Sequence, residues 1–193
     1  AQLAQLRGHP LITVVMPVFF AGQLQFWVLT KGHHADIGGG GTAGRNPDAK
    51  TAWEEGLRIP PARLYQSGKY NRDLWELILL NVRLPILVEG DLQCQVGACN
   101  TGERALGELL QHYGCAGVDA AMEEILQRSE AQMRERIEAI PDGVYRAERQ
   151  LEHVLDKETG TRPTVRLQID VKGYEMVFDF FGTDGQIPIY YNS

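Results

Sequence analysis

The sequence predicts an α+β protein, and three observations carry that prediction. Two β-branched and aromatic runs stand near the start. A long helical pattern fills the middle, and alternating strands return near the end. The order β, loop, α, β is not a repeating βαβ pattern. Three regions are expected: a strand and site-loop region over 1–69, a helical region over 70–140 and a C-terminal β region over 141–193. They are expected to form one continuous domain or a fragment of a larger subunit.

The first run, Ile12-Thr13-Val14-Val15-Met16-Pro17-Val18-Phe19, and the second, Leu24-Gln25-Phe26-Trp27-Val28-Leu29, flank the turn-prone Ala21-Gly22-Gln23. This predicts a β-hairpin, with Pro17 at a bulge or an edge. From Lys31 the residues turn polar and run into Gly38-Gly39-Gly40-Gly41, which predicts a loop reaching Asp48. Pro60 and Pro61 make residues 57–65 extended and irregular. Asn71 is the expected N-cap of a helix carrying Leu74, Trp75, Leu77, Ile78 and Leu79. A second helical region is expected from about Asp91 to Tyr113, stopped by Gly114. A third runs from Val118 to Ile140, and its apolar stripe is wide enough to be buried within one domain. Pro141-Asp142-Gly143 ends it. Val165, Leu167, Ile169 and Val171 alternate with polar residues. Lys172-Gly173 turns the chain into Met176–Phe181.

Composition narrows the function. The 193 residues are 44% hydrophobic and 23% charged, with a net charge of -6 and a pI near 5.4. An acidic balance with interspersed charges argues against a nucleic-acid surface. No run reaches the roughly 18 apolar residues of a membrane helix. No basic stretch followed by an apolar one marks a secretory leader, so a cytoplasmic location is expected. Cys94, Cys99 and Cys115 are too few and too irregular for a disulfide framework or zinc cage, and are expected to be small core residues.

His33-His34-Ala35-Asp36 before the glycines is the strongest local feature. Imidazole and carboxylate are ligands for Zn, Mn or Fe. In an extended chain the two histidines point to opposite sides. His34 and Asp36 then share a side, while His33 and Asp36 meet only if the loop curls. A solvated polar loop is the plain alternative. The glycines match neither G-x-x-x-x-G-K-[ST] nor G-x-G-x-x-G in a strand–helix setting. Arg58, beside the rigid Pro60-Pro61 turn, can take a carboxylate or phosphate in a bidentate grip or make a surface ion pair. Asp91, Gln93, Gln95 and Asn100 lie with small residues on one helix, as a buried polar network or, for Asp91, as an N-cap. His9, His112 and His153 show no pairing.

These strings also occur together. Pro17-Val18-Phe19, Gly32-His33-His34-Ala35-Asp36-Ile37-Gly38-Gly39 and Glu55-Gly56-Leu57-Arg58-Ile59-Pro60-Pro61 come first. Asn81-Val82-Arg83-Leu84-Pro85, Gly90-Asp91-Leu92-Gln93-Cys94-Gln95 and Asn100-Thr101-Gly102-Glu103 follow. Tyr113-Gly114, Pro141-Asp142-Gly143-Val144-Tyr145, Asp179-Phe180-Phe181-Gly182-Thr183 and Asn192 complete the set. In this order they resemble the N-methylhydantoinase B family, which includes the C-terminal part of 5-oxoprolinase and the large subunit of acetone carboxylase. The resemblance implies a subunit of an ATP-dependent cyclic amide hydrolase, of hydantoin, oxoproline or lactam type. A ketone carboxylase subunit and a non-catalytic assembly fragment are the alternatives. It implies a divalent metal, Zn or Mn, with His33 and Asp36 as ligands. His34 would bind or orient the metal or the substrate, and Arg58 and Asp91 would support the catalytic site or the substrate's charge. It also implies a hydantoinase A-like partner in a hetero-oligomer that binds ATP and phosphorylates a small carbonyl substrate. This chain carries neither a Walker loop nor an Asp-Gly-Gly-Thr phosphate loop. The His-Ala-Asp loop is then expected to face the path of the phosphorylated intermediate, which hydrolyses in bulk water. Family members typically carry His-Leu-Pro-Asp just before the first strand, where this chain has Gly8 and Leu11. Family subunits are also longer at both ends, so a fragment or a reduced version is expected.

Overall fold

The structure, a computed structural model, describes residues 2–5 (backbone only), 11–41, 46, 49, 51–151, 160, 162–185 and 187. Gly8, His9, Asp48, His153 and Asn192 lie outside the described residues. The chain divides into two compact units, Ala1–Cys115 and Ala116–Asn192.

In the first unit, β2 (Leu11–Phe20) and β3 (Gln23–His33) form the expected hairpin. Its register shifts between Val18 and Phe19, one residue past Pro17. The short strand β1 (Gln2–Gln5) pairs antiparallel with the other side of β2 only as far as Val15, so Pro17 needs no partner there. With β4 (Ala62–Arg63) the sheet order is β3-β2-β1-β4. β3 runs on through His33, three residues further than the polar composition predicts, because Lys31, Gly32 and His33 pair with Thr13, Ile12 and Leu11.

The period-2 pattern sorts the two faces. Ile12, Val14 and Val18 are buried, whereas Trp27, Leu29, Lys31 and His33 are exposed. A one-turn helix, α1 (Ala52–Glu55), precedes the Pro60-Pro61 stretch, and β5 (Tyr65–Gln66) and β6 (Lys69–Tyr70) make a small hairpin. Helix α2 (Arg72–Leu80) starts as predicted: Asn71 Oδ1 accepts from Leu74 N at 3.3 Å. Helix α3 (Pro85–Glu138) begins at Pro85, a favoured first-turn residue, so Asp91 lies inside the helix and does not cap it. Val88, Leu92, Val96 and Cys99 recur at helical spacing and pack with Ile12, Val14, Ile37, Ile59, Leu64, Trp75 and Ile78 into one core. Cys99 belongs to that core, but Cys94 is exposed, because it sits on the opposite side of the helix from Leu92 and Val96.

Gly114, with φ 70° and ψ 166°, breaks the helical geometry of α3, as its place in the sequence predicts. In the second unit, β7 (Gly143–Gln150), β8 (Thr164–Lys172) and β9 (Glu175–Asp179) form an antiparallel sheet in that order. Gly173 N donates to Asp142 Oδ1 at 2.8 Å, which fastens the β8–β9 turn to the residues following α3. Here the helix departs from expectation. Val118 is buried, but Met122, Ile125, Leu126 and Met133 are 44–64% exposed. Periodicity predicts the helix, not a cover for its stripe. No helix among the described residues is long and apolar enough to cross a membrane.

Candidate functional site

Three segments converge where β3 ends. The strand carries His33 outward and exposed. The next residue, His34, turns inward and keeps 4% of its surface, the opposite-sides arrangement expected of neighbours in an extended chain. His34 meets the α3 face that carries Asp91, Gln95 and Cys99 at intervals of four. His34 Nε2 lies 2.9 Å from Gln95 Oε1, and His34 Nδ1 lies 3.9 Å from Asp91 Oδ2. Asp91 Oδ2 also accepts from Ala35 N at 3.0 Å, so one carboxylate ties the helix to the loop. Gln95 Nε2 donates to Ile12 O at 2.8 Å and to Thr30 O at 3.4 Å. Gly32 makes room for this amide: a Cβ there would stand 3.4 Å from Gln95 Nε2. Thr30 Oγ1 donates to Gln95 O at 3.2 Å, which holds the helix turn to the strand.

Burial holds the His34 imidazole below its ordinary pKa, because a desolvated imidazolium is disfavoured. The Gln95 hydrogen bond and the Asp91 charge oppose the shift without cancelling it. His34 is therefore neutral, and its buried Nδ1 has no hydrogen-bond partner. The Asp91 side chain keeps 40% of its surface. The pair is thus a sheltered basic nitrogen beside a carboxylate that solvent reaches, an arrangement able to accept a proton and to stabilise the cation that forms.

Asp36 turns elsewhere. It is 1% exposed, and its two carboxylate oxygens accept from Arg83: Oδ1 from Nη1 at 3.0 Å and Oδ2 from the backbone N. Gly38 N adds a bond to Oδ1 at 3.3 Å. The Arg83 guanidinium also donates to Gly39 O and Gly41 O. One buried carboxylate and one arginine thereby hold the whole glycine turn. Close backbone contact explains the glycines. Gly40 N donates to Glu54 O at 2.8 Å and Leu57 N to Ile37 O at 2.7 Å. A Cβ on Gly39, at φ 79°, would stand 2.7 Å from both Glu54 O and Gly56 N. The His-Ala-Asp string and the Glu-Gly-Leu-Arg string are therefore two sides of one joint.

Arg58 is exposed and stacks its guanidinium 4.5 Å from the centre of the Trp53 ring. It lies on the strand of chain that meets the glycine turn, but its contact is with Trp53 and not with His34 or Asp91. Among the described residues no group of three His, Cys, Asp or Glu side chains converges. With both oxygens of Asp36 taken by Arg83, the described residues do not make up a metal site. Two residues of the joint do not stand out individually in the sequence: Arg83 appears there only inside the Asn-Val-Arg-Leu-Pro string, and Gln95 only as one of four polar residues. The four-residue spacing of Asp91, Gln95 and Cys99 is the signal that places Gln95 beside His34.

An α+β unit with such a joint defines a class. Residues 8–193 match the hydantoinase B/oxoprolinase family, and the chain belongs to it. It is 40% identical over 178 residues to the beta chain of the caprolactamase of Pseudomonas jessenii, covering 92% of this chain and 30% of that protein. It is 35% identical over 182 residues to the B component of a putative D-/L-hydantoinase of Pseudomonas sp. (strain NS671), covering 92% and 31%. In structure it resembles the ATP-dependent caprolactamase of Pseudomonas jessenii, with a TM-score of 0.87 and 35% identity over 100% of this chain and 34% of that one. The chain thus spans about a third of the length of the curated relatives it matches.

Proposed function

We propose that this chain belongs to the hydrolytic subunit of an ATP-dependent enzyme that opens small cyclic amides of lactam, hydantoin or oxoproline type. It works in the cytoplasm, in a hetero-oligomer with a hydantoinase A-like subunit that binds ATP and phosphorylates the substrate's carbonyl oxygen. The observation that carries this reading is the His34–Asp91 pair, built from family strings and held by a neutral, sheltered imidazole. Phosphorylation makes the amide carbon electrophilic. His34 Nδ1 accepts the proton of the water whose oxygen bonds to that carbon, the C=N π pair moves onto the substrate's ring nitrogen, and Asp91 stabilises the imidazolium. The imidazolium then protonates that nitrogen as its bond to carbon breaks, and hydrolysis of the resulting acyl phosphate releases phosphate. Arg58 meets the anionic substrate from its exposed place beside Trp53.

Asp36 clamps the glycine turn through Arg83, and a metal held by it would share its oxygens with that pair. Of the two metal ligands that sequence suggests, His33 keeps an exposed imidazole at the end of β3. A Zn or Mn ion at this place would need donors beyond the described residues, and no step is assigned to it. Turnover tests the reading: the protein is combined with a hydantoinase A-like subunit, ATP and a panel of lactams and hydantoins. Ring-opened amino acid, formed only with partner and ATP, is the expected product. ATP cleavage without ring opening supports the assembly fragment instead, and a carboxylated ketone supports the carboxylase.

A further inference from the structure

We propose that Gln95 is a positioning residue that fixes the tautomer of His34, so that Nδ1 alone is left as the proton-accepting nitrogen of the site. The amide itself has one orientation. Its Nε2 faces two carbonyl oxygens, Ile12 O at 2.8 Å and Thr30 O at 3.4 Å, on neighbouring strands. Turned over, Oε1 would meet both carbonyls with no proton between any of the three oxygens. Buried acceptors are not left in that arrangement. Oε1 therefore points at His34 Nε2, 2.9 Å away. A carbonyl oxygen only accepts, so the proton of this bond sits on His34 Nε2. A neutral imidazole has one N–H, which leaves Nδ1 with a bare lone pair.

That lone pair is buried, has no hydrogen-bond partner, and faces Asp91 Oδ2 at 3.9 Å. Asp91 is an acceptor too, held in place by Ala35 N. Two acceptors facing one another with no donor between them make a place that a transferred proton would fill. The sheet thus reaches the reacting nitrogen through one side chain: β2 and β3 orient the amide, the amide orients the ring, and the ring presents Nδ1. A glutamine of this kind does what an oriented carboxylate does for other histidines, without adding charge. The assignment of Nδ1 as a base rests on the proposed hydrolytic function. The tautomer does not.

The experiment is nitrogen NMR on the full chain with 15N-labelled histidine, recording long-range proton–nitrogen correlations of the ring. The protein has five histidines, and loss of one pattern in His34→Asn assigns His34. The expected wild-type pattern is a neutral ring with Nε2 protonated and Nδ1 unprotonated. Gln95→Met removes the acceptor and should release the ring into a mixture of both tautomers. Gln95→Glu, held protonated so that one oxygen donates to Ile12 O in place of the amide NH2, keeps an acceptor for Nε2 and should retain the wild-type tautomer. Protonation of His34 at Nδ1 in the wild type overturns the proposal, as does an unchanged single tautomer in a folded Gln95→Met. If Gln95→Met does not fold, the wild-type and Gln95→Glu spectra decide the question by themselves. In the assembled enzyme, Gln95→Met should lower kcat by about 10- to 100-fold with KM little changed. A wild type that opens no lactam, yet shows the expected ring pattern, would remove the function and leave the tautomer standing.

Discussion

Replacing Asp36 by asparagine should destabilise the first unit by about 2–3 kcal/mol. Asp36 is 1% exposed and receives three hydrogen bonds, two of them from Arg83, whose side chain is 44% exposed. Breaking a fully buried ion pair costs about 3–5 kcal/mol. Water reaches the Arg83 guanidinium, and its bonds to Gly39 O and Gly41 O survive, so the charge left behind is partly compensated. Asparagine keeps one accepting oxygen but turns an NH2 toward a donor, which costs about 1–3 kcal/mol. The assay is urea unfolding followed by tryptophan fluorescence. The protein's three tryptophans, Trp27, Trp53 and Trp75, all lie in the first unit, so the signal reports that unit alone. At an m value of about 2 kcal/mol per molar urea, the midpoint should fall by about 1 M. In a cycle with Arg83→Met the two losses should not add, because each variant removes the same contact. A loss below about 0.5 kcal/mol, the level of an ordinary surface change, would refute the clamp, and so would simple additivity.

Gly39→Ala should cost the first unit more than the roughly 1–2 kcal/mol of a left-handed alanine, because its Cβ would meet Glu54 O and Gly56 N at 2.7 Å; an unchanged urea midpoint would contradict this. Leu92→Ala, at a position with no exposed surface, should cost about 3 kcal/mol by the same assay, and a loss under about 1 kcal/mol would place Leu92 outside the core. His34 makes stability depend on pH. Its folded pKa lies below the unfolded value of 6.5, so the unfolded chain binds the proton more readily. The stability from neutral His34 is therefore complete above 6.5 and falls away as the pH drops from there through the folded pKa. The stability difference between wild type and His34→Gln should shrink over that interval, and a difference that grows on acidification would reverse the sign of the shift.

Local signals predicted local structure. β-Branched and aromatic runs marked β2 and β3, Asn71 marked the start of α2, and Gly114 marked the break in α3. What failed were inferences that depend on a partner distant in sequence. The polar Lys31-Gly32-His33 reads as loop, yet β2 offers its backbone as a ladder and draws these residues into β3. The pairing of Asp36 with Arg83, 47 positions later, is not legible in the His-Ala-Asp string. The β1 strand, four residues long and polar at both ends, shows no period strong enough to notice. The Val118–Ile140 stripe has the right spacing, but spacing alone does not tell what surface covers it. For the site, adjacency separated His33 from His34 correctly. The depth of His34 and its bond to Gln95 required knowledge of the packing of α3 on the sheet.

The central claim is that His34 is the proton acceptor for ring opening. The most direct measurement is the rate of lactam opening by the assembled enzyme with His34→Gln, alongside ATP cleavage by the partner subunit in the same mixture. The predicted result is ring opening slower by about 100- to 10,000-fold, with substrate-dependent ATP cleavage retained and the tryptophan unfolding midpoint showing a folded protein. Ring opening by a folded His34→Gln enzyme at the wild-type rate would contradict the account.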